Sequence, residues 1–217
     1  LWNAGCSMTV PGLRERAAII LGSAAGIATR RIGYSGGTAL PGLIASRLAP
    51  DLVESMSRQL GLGSVIVTGT NGKTTTTKLL SSAVRSAGID VLTNSSGSNL
   101  ERGLVSTYVS STSRRGSIRD IDQRIGVFEV DEAAFPDLLP RLRPRACLFL
   151  NLSRDQLDRY GEVDSVIEGW RDSLEADASG LTLVLNADDP SIIQLDAVGR
   201  GEVVTFGISD LAVAIPD

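Results

Sequence analysis

A short apolar run, Ser64-Val65-Ile66-Val67, leads into Thr68-Gly69-Thr70-Asn71-Gly72-Lys73-Thr74-Thr75. No other stretch of the chain restricts the fold as strongly. A strand that turns through glycines into an uncharged helix start aims the backbone N–H groups of the turn and the first helical turn at one point. The helix dipole adds a field that favours an anion there. Lys73 can place an ammonium on the terminal phosphates of a nucleotide, and the Thr74 hydroxyl can ligate Mg²⁺. The eight-residue form of such a loop needs glycine where this chain has Val67, so the loop is a Gly69-to-Thr74 variant. The plain alternative is a Gly-Lys-Thr that serves only as connection chemistry. The strand and helix patterns on either side favour the phosphate cradle.

Composition narrows the rest. The 217 residues leave room for one large domain, or one domain with an appendage. A hydrophobic content of 42% supplies a real core. The net charge of −4 gives no electrostatic footprint for nucleic acid. The absence of histidine excludes imidazole acid–base schemes, imidazole metal ligands and Ser-His-Asp triads within these residues. The two cysteines, Cys6 and Cys147, form no Cys-x-x-Cys, so neither a zinc ribbon nor a disulfide framework is encoded here. Cys147, inside Ala146-Cys147-Leu148-Phe149-Leu150, reads as a buried inert thiol, and the whole fits a reducing cytoplasm. The uncharged stretch from Ala17 to Thr29 is shorter than the roughly 20 residues a bilayer span takes. No cleavable signal peptide is evident. A start at Leu1 and an end at Asp217 without a closing helix read as a fragment of a longer protein.

Two patterns divide the chain. Residues 1–62 read as a helical N-terminal segment, with helices over 13–31 and 51–60, the second capped by Asp51 after Pro50. Gly33, Gly36 and Gly37, then Pro41-Gly42, read as breaks between them. From residue 63 to 217, strands expected at 64–68, 89–93, 125–130, 146–151, 181–186 and 202–206 alternate with helices near 73–87, 99–109, 132–140, 163–176 and 190–198. This alternation predicts an α/β fold: a mainly parallel sheet with helices on both faces. Ligands of such sheets sit beyond the carboxyl ends of the strands. The polar run from Ser110 to Asp120 reads as a solvated loop, its arginines being the alternative handle for an anionic partner.

Three clusters lie at predicted strand ends. Gly126-Val127-Phe128-Glu129-Val130-Asp131-Glu132 is an apolar strand ending in acids. An acid at the end of a strand beside a phosphate loop can hold Mg²⁺, and Glu129 is the leading candidate. Asp131 and Glu132 are either further metal ligands or helix-start acids favoured by the dipole. Asn151-Leu152-Ser153-Arg154-Asp155-Gln156-Leu157-Asp158-Arg159-Tyr160-Gly161 is a dense polar cluster, read as site residues or as a capped turn. Asn186-Ala187-Asp188-Asp189-Pro190 reads mostly as the start of a helix at Pro190, with a nucleotide contact open.

Taken in order, these motifs resemble the central domain of the Mur ligase family, over about residues 63–217. Two positions depart from its amino-acid-adding members. Where those carry a metal-binding histidine in Asp-His-x-Asp this chain has Gln156, and where they carry a carbamylated lysine it has Arg171. A guanidinium is always cationic and cannot take that role. The departures, together with Arg31-Ile32-Gly33 to Gly36-Gly37-Thr38-Ala39-Leu40-Pro41-Gly42, Phe128 to Phe135 and Arg154 to Gly161, resemble one branch, the MurT-type ligase subunits of lipid II isoglutaminyl synthase.

The resemblance implies an ATP-dependent carbon–nitrogen ligase of peptidoglycan synthesis. The α-carboxylate of D-glutamate in the lipid II stem peptide would be phosphorylated by ATP. Ammonia from a GatD-like glutaminase, the partner in a heterodimer, would then displace phosphate to give D-isoglutamine. The implied nucleotide site is Gly69, Thr70, Asn71, Gly72, Lys73, Thr74 and Thr75, with Asn99 near the adenine. Thr74 and Glu129 would hold Mg²⁺, and Lys73 and Glu129 would serve the chemistry. Zinc is expected only in a C-terminal part, with a four-cysteine ribbon, that family members carry beyond this point. The fragment alone is expected to bind nucleotide weakly without complete turnover. The alternatives are an amino-acid-adding Mur or folylpolyglutamate ligase, and a binding module without catalysis. The helix over 13–31 either rests its apolar body and flanking arginines on the anionic inner face of the plasma membrane or packs on the central domain.

Overall fold

The computed structural model describes residues 12–31, 40–94, 101–112, 118, 120–153 and 162–208. Six parallel strands form one sheet in the order β2-β3-β1-β4-β5-β6: β1 Ser64–Thr68, β2 Asp90–Thr93, β3 Arg124–Glu129, β4 Ala146–Phe149, β5 Thr182–Asn186 and β6 Val203–Phe206. Each expected strand is found within one residue of its predicted ends, save that β4 stops two residues early, at Phe149. β1 lies between β3 and β4, where the chain order reverses, and Val67 pairs with Glu129 while Thr68 pairs with Phe149. A crevice at such a reversal opens outside the carboxyl ends of the strands.

Helices α4 Lys73–Ser86, α5 Glu101–Ser111, α6 Phe135–Leu142, α7 Glu162–Ala176 and α8 Pro190–Ile193 join successive strands. The expected 132–140 helix is two pieces: a 3₁₀ turn over Glu132–Ala134, then α6. Asp131 caps the 3₁₀ turn by accepting from the Ala133 N–H, so this acid serves the helix start. Burial of β1 and β3 on both sides matches their continuous Val/Ile/Phe sequence. Phe135, Phe149 and Trp170 pack with ring centroids 5.1 to 5.6 Å apart, edge-on or tilted.

Ahead of the sheet lie α1 Leu13–Arg31, α2 Leu40–Leu48 and α3 Leu52–Ser57. α2 corrects the expected break at Pro41-Gly42. Proline at the first turn of a helix loses no intrahelical hydrogen bond, because that N–H has no acceptor there anyway. Asp51 stands at the start of α3 but makes no side-chain cap, contrary to expectation, and the helix is shorter than the predicted 51–60. Ala18 and Ile19 of α1, Ala45 of α2 and Leu52, Val53 and Met56 of α3 join the same hydrophobic cluster as Ile66 and Phe128 of the sheet. One face of α1 is therefore packed on the body of the protein. Among the described residues no helix is long and apolar enough to cross a membrane.

Candidate functional site

The loop between β1 and α4 is built on two left-handed glycines, Gly69 at φ +133° and Gly72 at φ +86°. A Cβ on Gly69 would lie 2.8 Å from the Asn151 carbonyl oxygen and 2.9 Å from its nitrogen. Only glycine lets the loop approach the chain that follows β4 so closely. That approach is cemented by hydrogen bonds. The Thr70 N–H donates to the Asn151 carbonyl at 2.8 Å. The Asn151 carboxamide accepts from the Asn71 N–H at 2.9 Å and donates to the Asn71 carbonyl at 3.0 Å. Ser153 adds its N–H to Thr70 Oγ1 at 3.1 Å, while Asn71 Nδ2 donates to Ser153 Oγ at 3.0 Å.

Lys73 opens α4 with its ammonium curled back over the loop. It donates to the Gly69 and Thr70 carbonyls and pairs with Glu132 Oε2 at 3.0 Å. Glu132 is thus neither a plain helix-start acid nor a group standing by for metal alone; it is the counter-ion of the loop lysine. Its backbone is pinned in turn, since Trp170 Nε1 donates to the Glu132 carbonyl at 2.9 Å.

Thr74 Oγ1 donates to Glu129 Oε1 at 3.0 Å, and Glu129 is 8% exposed. Adjacent ligands of an octahedral Mg²⁺ with bonds near 2.1 Å stand about 3.0 Å apart, so the two oxygens already have the spacing of one edge of such a shell. A hydroxyl, a carboxylate and the oxygens of a nucleotide are a donor set that Mg²⁺ accepts. The residues present fit the ion.

Glu129 is held by a residue that the sequence reading missed. The carboxamide of Asn94, 2% exposed, donates to the Glu129 carbonyl at 2.8 Å and accepts from its N–H at 2.9 Å. Three asparagines at or just past strand ends share this device. Asn94 follows β2 and clasps β3, Asn151 follows β4 and clasps the loop after β1, and Asn186 ends β5 and donates to the Leu150 carbonyl at 2.7 Å. Each extends the ladder by one side chain where the strands stop. The repeated asparagine at strand ends is the signal that could have found Asn94.

Asp189 is structural, as expected for the residue before Pro190. One oxygen caps α8 through the Ser191 and Ile192 N–H groups, and the other accepts from the Leu152 N–H at 2.7 Å. Asp188 accepts from the Ile208 N–H at 2.8 Å. Arg171 lies on α7 with its guanidinium on Gln194 Oε1 at 3.0 Å. Thr75 is exposed on the first turn of α4. Asn99, Gln156 and the cluster from Arg154 to Gly161 lie outside the described residues. The Cys147 thiol is buried, and burial pushes its pKa up.

The sequence profile of the Mur ligase middle domain matches residues 67–215. The subunit MurT of the lipid II isoglutaminyl synthase (glutamine-hydrolyzing) of Staphylococcus aureus strain COL is 32% identical over 196 residues, 90% of this chain and 42% of that protein. Its counterpart in Streptococcus pneumoniae R6 is 30% identical over 178 residues, 82% of this chain and 38% of that protein. The UDP-N-acetylmuramoylalanine–D-glutamate ligase of Pelotomaculum thermopropionicum is 32% identical over 142 residues, 65% of this chain and 28% of that protein. This chain spans about two fifths of the length of the MurT relatives. Among solved structures, MurF from Acinetobacter baumannii superposes with a TM-score of 0.56 at 15% identity, over 80% of this chain and 35% of that one. The ordered sheet, the loop and these matches agree: the chain belongs to the Mur ligase family and carries its middle domain.

Proposed function

We propose that this chain is the nucleotide-binding part of an ATP-dependent ligase that amidates the α-carboxylate of D-glutamate in the lipid II stem peptide. Residues 63–217 form its central domain and residues 1–62 a helical N-terminal segment. The observation that carries the reading is the convergence of Lys73, Thr74 and Glu129 at the carboxyl end of β1 and β3. MurT relatives support the branch, and a GatD-like glutaminase in a heterodimer is the proposed source of ammonia. Arg171, whose guanidinium donates to Gln194, supports it as well, because a fixed cation is not a metal ligand.

The chemistry suits the residues. A carboxylate is a poor electrophile, and phosphorylation gives it a leaving group. The substrate oxygen bonds to the γ-phosphorus as the bond to ADP breaks. Ammonia then bonds to the acyl carbon, phosphate leaves, and one proton is lost from nitrogen. Mg²⁺, when bound, neutralises phosphate oxygens. Thr74 and Glu129 would hold that ion. The loop N–H groups of Gly72 to Thr75 receive the phosphates at the start of α4. Lys73 leaves Glu132 and the loop carbonyls for the β- and γ-oxygens, where its charge offsets what develops during transfer. No step asks for a histidine.

The test is titration of a non-hydrolysable ATP analogue into the chain, with and without Mg²⁺, alongside Thr74→Val and Glu129→Gln. Binding that tightens with Mg²⁺ in the wild type and no longer does so in either variant is expected. Equal binding with and without Mg²⁺ in all three proteins overturns the metal roles, and no binding at all overturns the nucleotide site. Amidation of lipid II by the longer protein with its glutaminase, lost in Glu129→Gln, tests the reaction itself.

A further inference from the structure

Helix α1 is apolar on two sides, and the protein covers only one of them. Ala18 and Ile19 are packed in the hydrophobic core. On the opposite side Leu13 is 89% exposed, and Ile20 and Leu21 are each 52% exposed. At about 100° per residue, Arg16, Ile20, Leu13, Ala17, Leu21 and Arg14 follow one another around that side, all of them exposed. An aliphatic strip is thus edged by an arginine along each flank. Arg14 Nε donates to the Leu48 carbonyl at 2.7 Å. This contact sets the end of α2, with exposed Arg47 and a Leu48 that is 38% exposed, beside the strip. Neither Arg16 nor Arg47 forms an ion pair among the described residues. Glu15, the one acid of α1, falls on the packed side of the helix and accepts from the Gly12 N–H at 2.8 Å.

The charge of the whole chain is polarised in the same sense. Residues 1–50 hold five arginines and one glutamate, a net charge of +4. The full sequence is −4, so the remainder carries −8. Such asymmetry turns one end of a molecule toward an anionic surface and the other away from it. We infer that the outer side of α1, with the adjoining end of α2, is a docking surface for an anionic lipid bilayer. The aliphatic strip enters the headgroup layer, and Arg14, Arg16 and Arg47 meet lipid phosphates at its edges. No described helix is long and apolar enough to cross the bilayer, so α1 lies in the plane of its surface. A nucleic-acid strand would match the arginines but leave the aliphatic strip in water. A second copy would cover the strip but bring two sets of arginines together. The inference stands apart from the ligase reading, since no residue of the nucleotide loop enters it.

The experiment is co-sedimentation of the chain with vesicles of equal parts phosphatidylglycerol and phosphatidylcholine at low ionic strength. Vesicles of phosphatidylcholine alone are the control. Saturable binding to the anionic vesicles, weakened by salt, is expected, with little binding to the neutral ones. Arg16→Ala weakens it by about fivefold, the scale of one arginine at an anionic membrane surface. Ile20→Ser combined with Leu21→Ser weakens it by about tenfold or more, through the apolar groups removed from the strip. These substitutions are at exposed positions, and unchanged thermal melts confirm that the variants fold. Absence of binding to anionic vesicles, equal binding to both kinds of vesicle, or binding that survives both sets of substitutions overturns the inference. So does a dimer, seen by sedimentation velocity without lipid, that the Ile20→Ser, Leu21→Ser variant dissolves, because the strip then belongs to self-association. Titration of an ATP analogue with Mg²⁺ into the same samples separates the two readings. A chain that binds nucleotide but no vesicle keeps the ligase assignment and loses this one, and the reverse result does the opposite.

Discussion

The Thr74 hydroxyl donates to the Glu129 carboxylate across 3.0 Å, joining the first turn of α4 to the last residue of β3. Neither residue is near the other in sequence. They meet because β1 and β3 are parallel neighbours with Val67 level with Glu129. The support behind Glu129 is as specific as the contact itself.

Asn94→Leu strips two hydrogen bonds from the Glu129 backbone and leaves a buried N–H and a buried carbonyl unmatched. A loss of about 2–4 kcal/mol in unfolding free energy is expected from such a pair. Urea denaturation measures it. The Mg²⁺-dependent part of nucleotide affinity should fall as well, even where the variant is fully folded.

The two loop glycines should not respond alike. At Gly69 an alanine meets the backbone of Asn151 at 2.8–2.9 Å and must also hold a strained φ, whereas at Gly72 the nearest atom is 3.6 Å away. Gly72→Ala therefore carries mainly left-handed strain, about 1–2 kcal/mol. Gly69→Ala adds a backbone collision and should be the more damaging in both thermal melting and ATP-analogue binding. Equal effects of the two substitutions would contradict the close approach of loop and β4 extension.

Glu132→Gln removes the carboxylate that holds the Lys73 ammonium at 3.0 Å. Without that competitor, Lys73 is freer to turn to phosphate. Affinity for an ATP analogue in the absence of Mg²⁺ should rise severalfold, and calorimetric titration at low ionic strength reads the change. Lys73→Met should act in the opposite sense and lower it by about tenfold or more, the scale of a charge-assisted hydrogen bond.

Alkaline pH should loosen the core. Burial raises the pKa of the Cys147 thiol, and burial raises that of the Tyr108 phenol against a smaller opposing effect of its hydrogen bond with Ser57. Both groups keep their protons longer in the folded chain than in the unfolded one. Their contribution is fully present below the unfolded values, about 8.5 for cysteine and about 10 for tyrosine, and is lost as pH climbs above them. The slope is at most about 1.4 kcal/mol per pH unit and group. Urea unfolding between pH 7.5 and 10.5 should show stability falling, with Cys147→Ala flattening the earlier part and Tyr108→Phe the later. Ser57 Oγ and the Tyr108 hydroxyl share a hydrogen bond at 2.9 Å, and its loss in Tyr108→Phe costs about 1 kcal/mol at neutral pH.

Strand positions were legible because each β-strand is a short apolar run bounded by turn residues, a local signal. The phosphate loop was legible because glycine, lysine and threonine stand at fixed offsets in seven consecutive residues. Long-range pairs were not. Nothing local says that Lys73 meets Glu132, that Asn151 clasps Asn71, or that Asn94 holds Glu129, because these partners are 35 to 80 residues apart. α2 was hidden for a different reason. Pro41-Gly42 carries the same residues whether it stops a helix or starts one, and only the packing of Ala45 into the core decides.

The clasp between Asn151 and Asn71 has a mechanical meaning. The turn between β1 and α4 is tied to the chain leaving β4 rather than to its own helix alone. A displacement of Asn151 is therefore carried straight to the turn at Asn71. Two hydrogen bonds make the loop and the strand extension move as one piece.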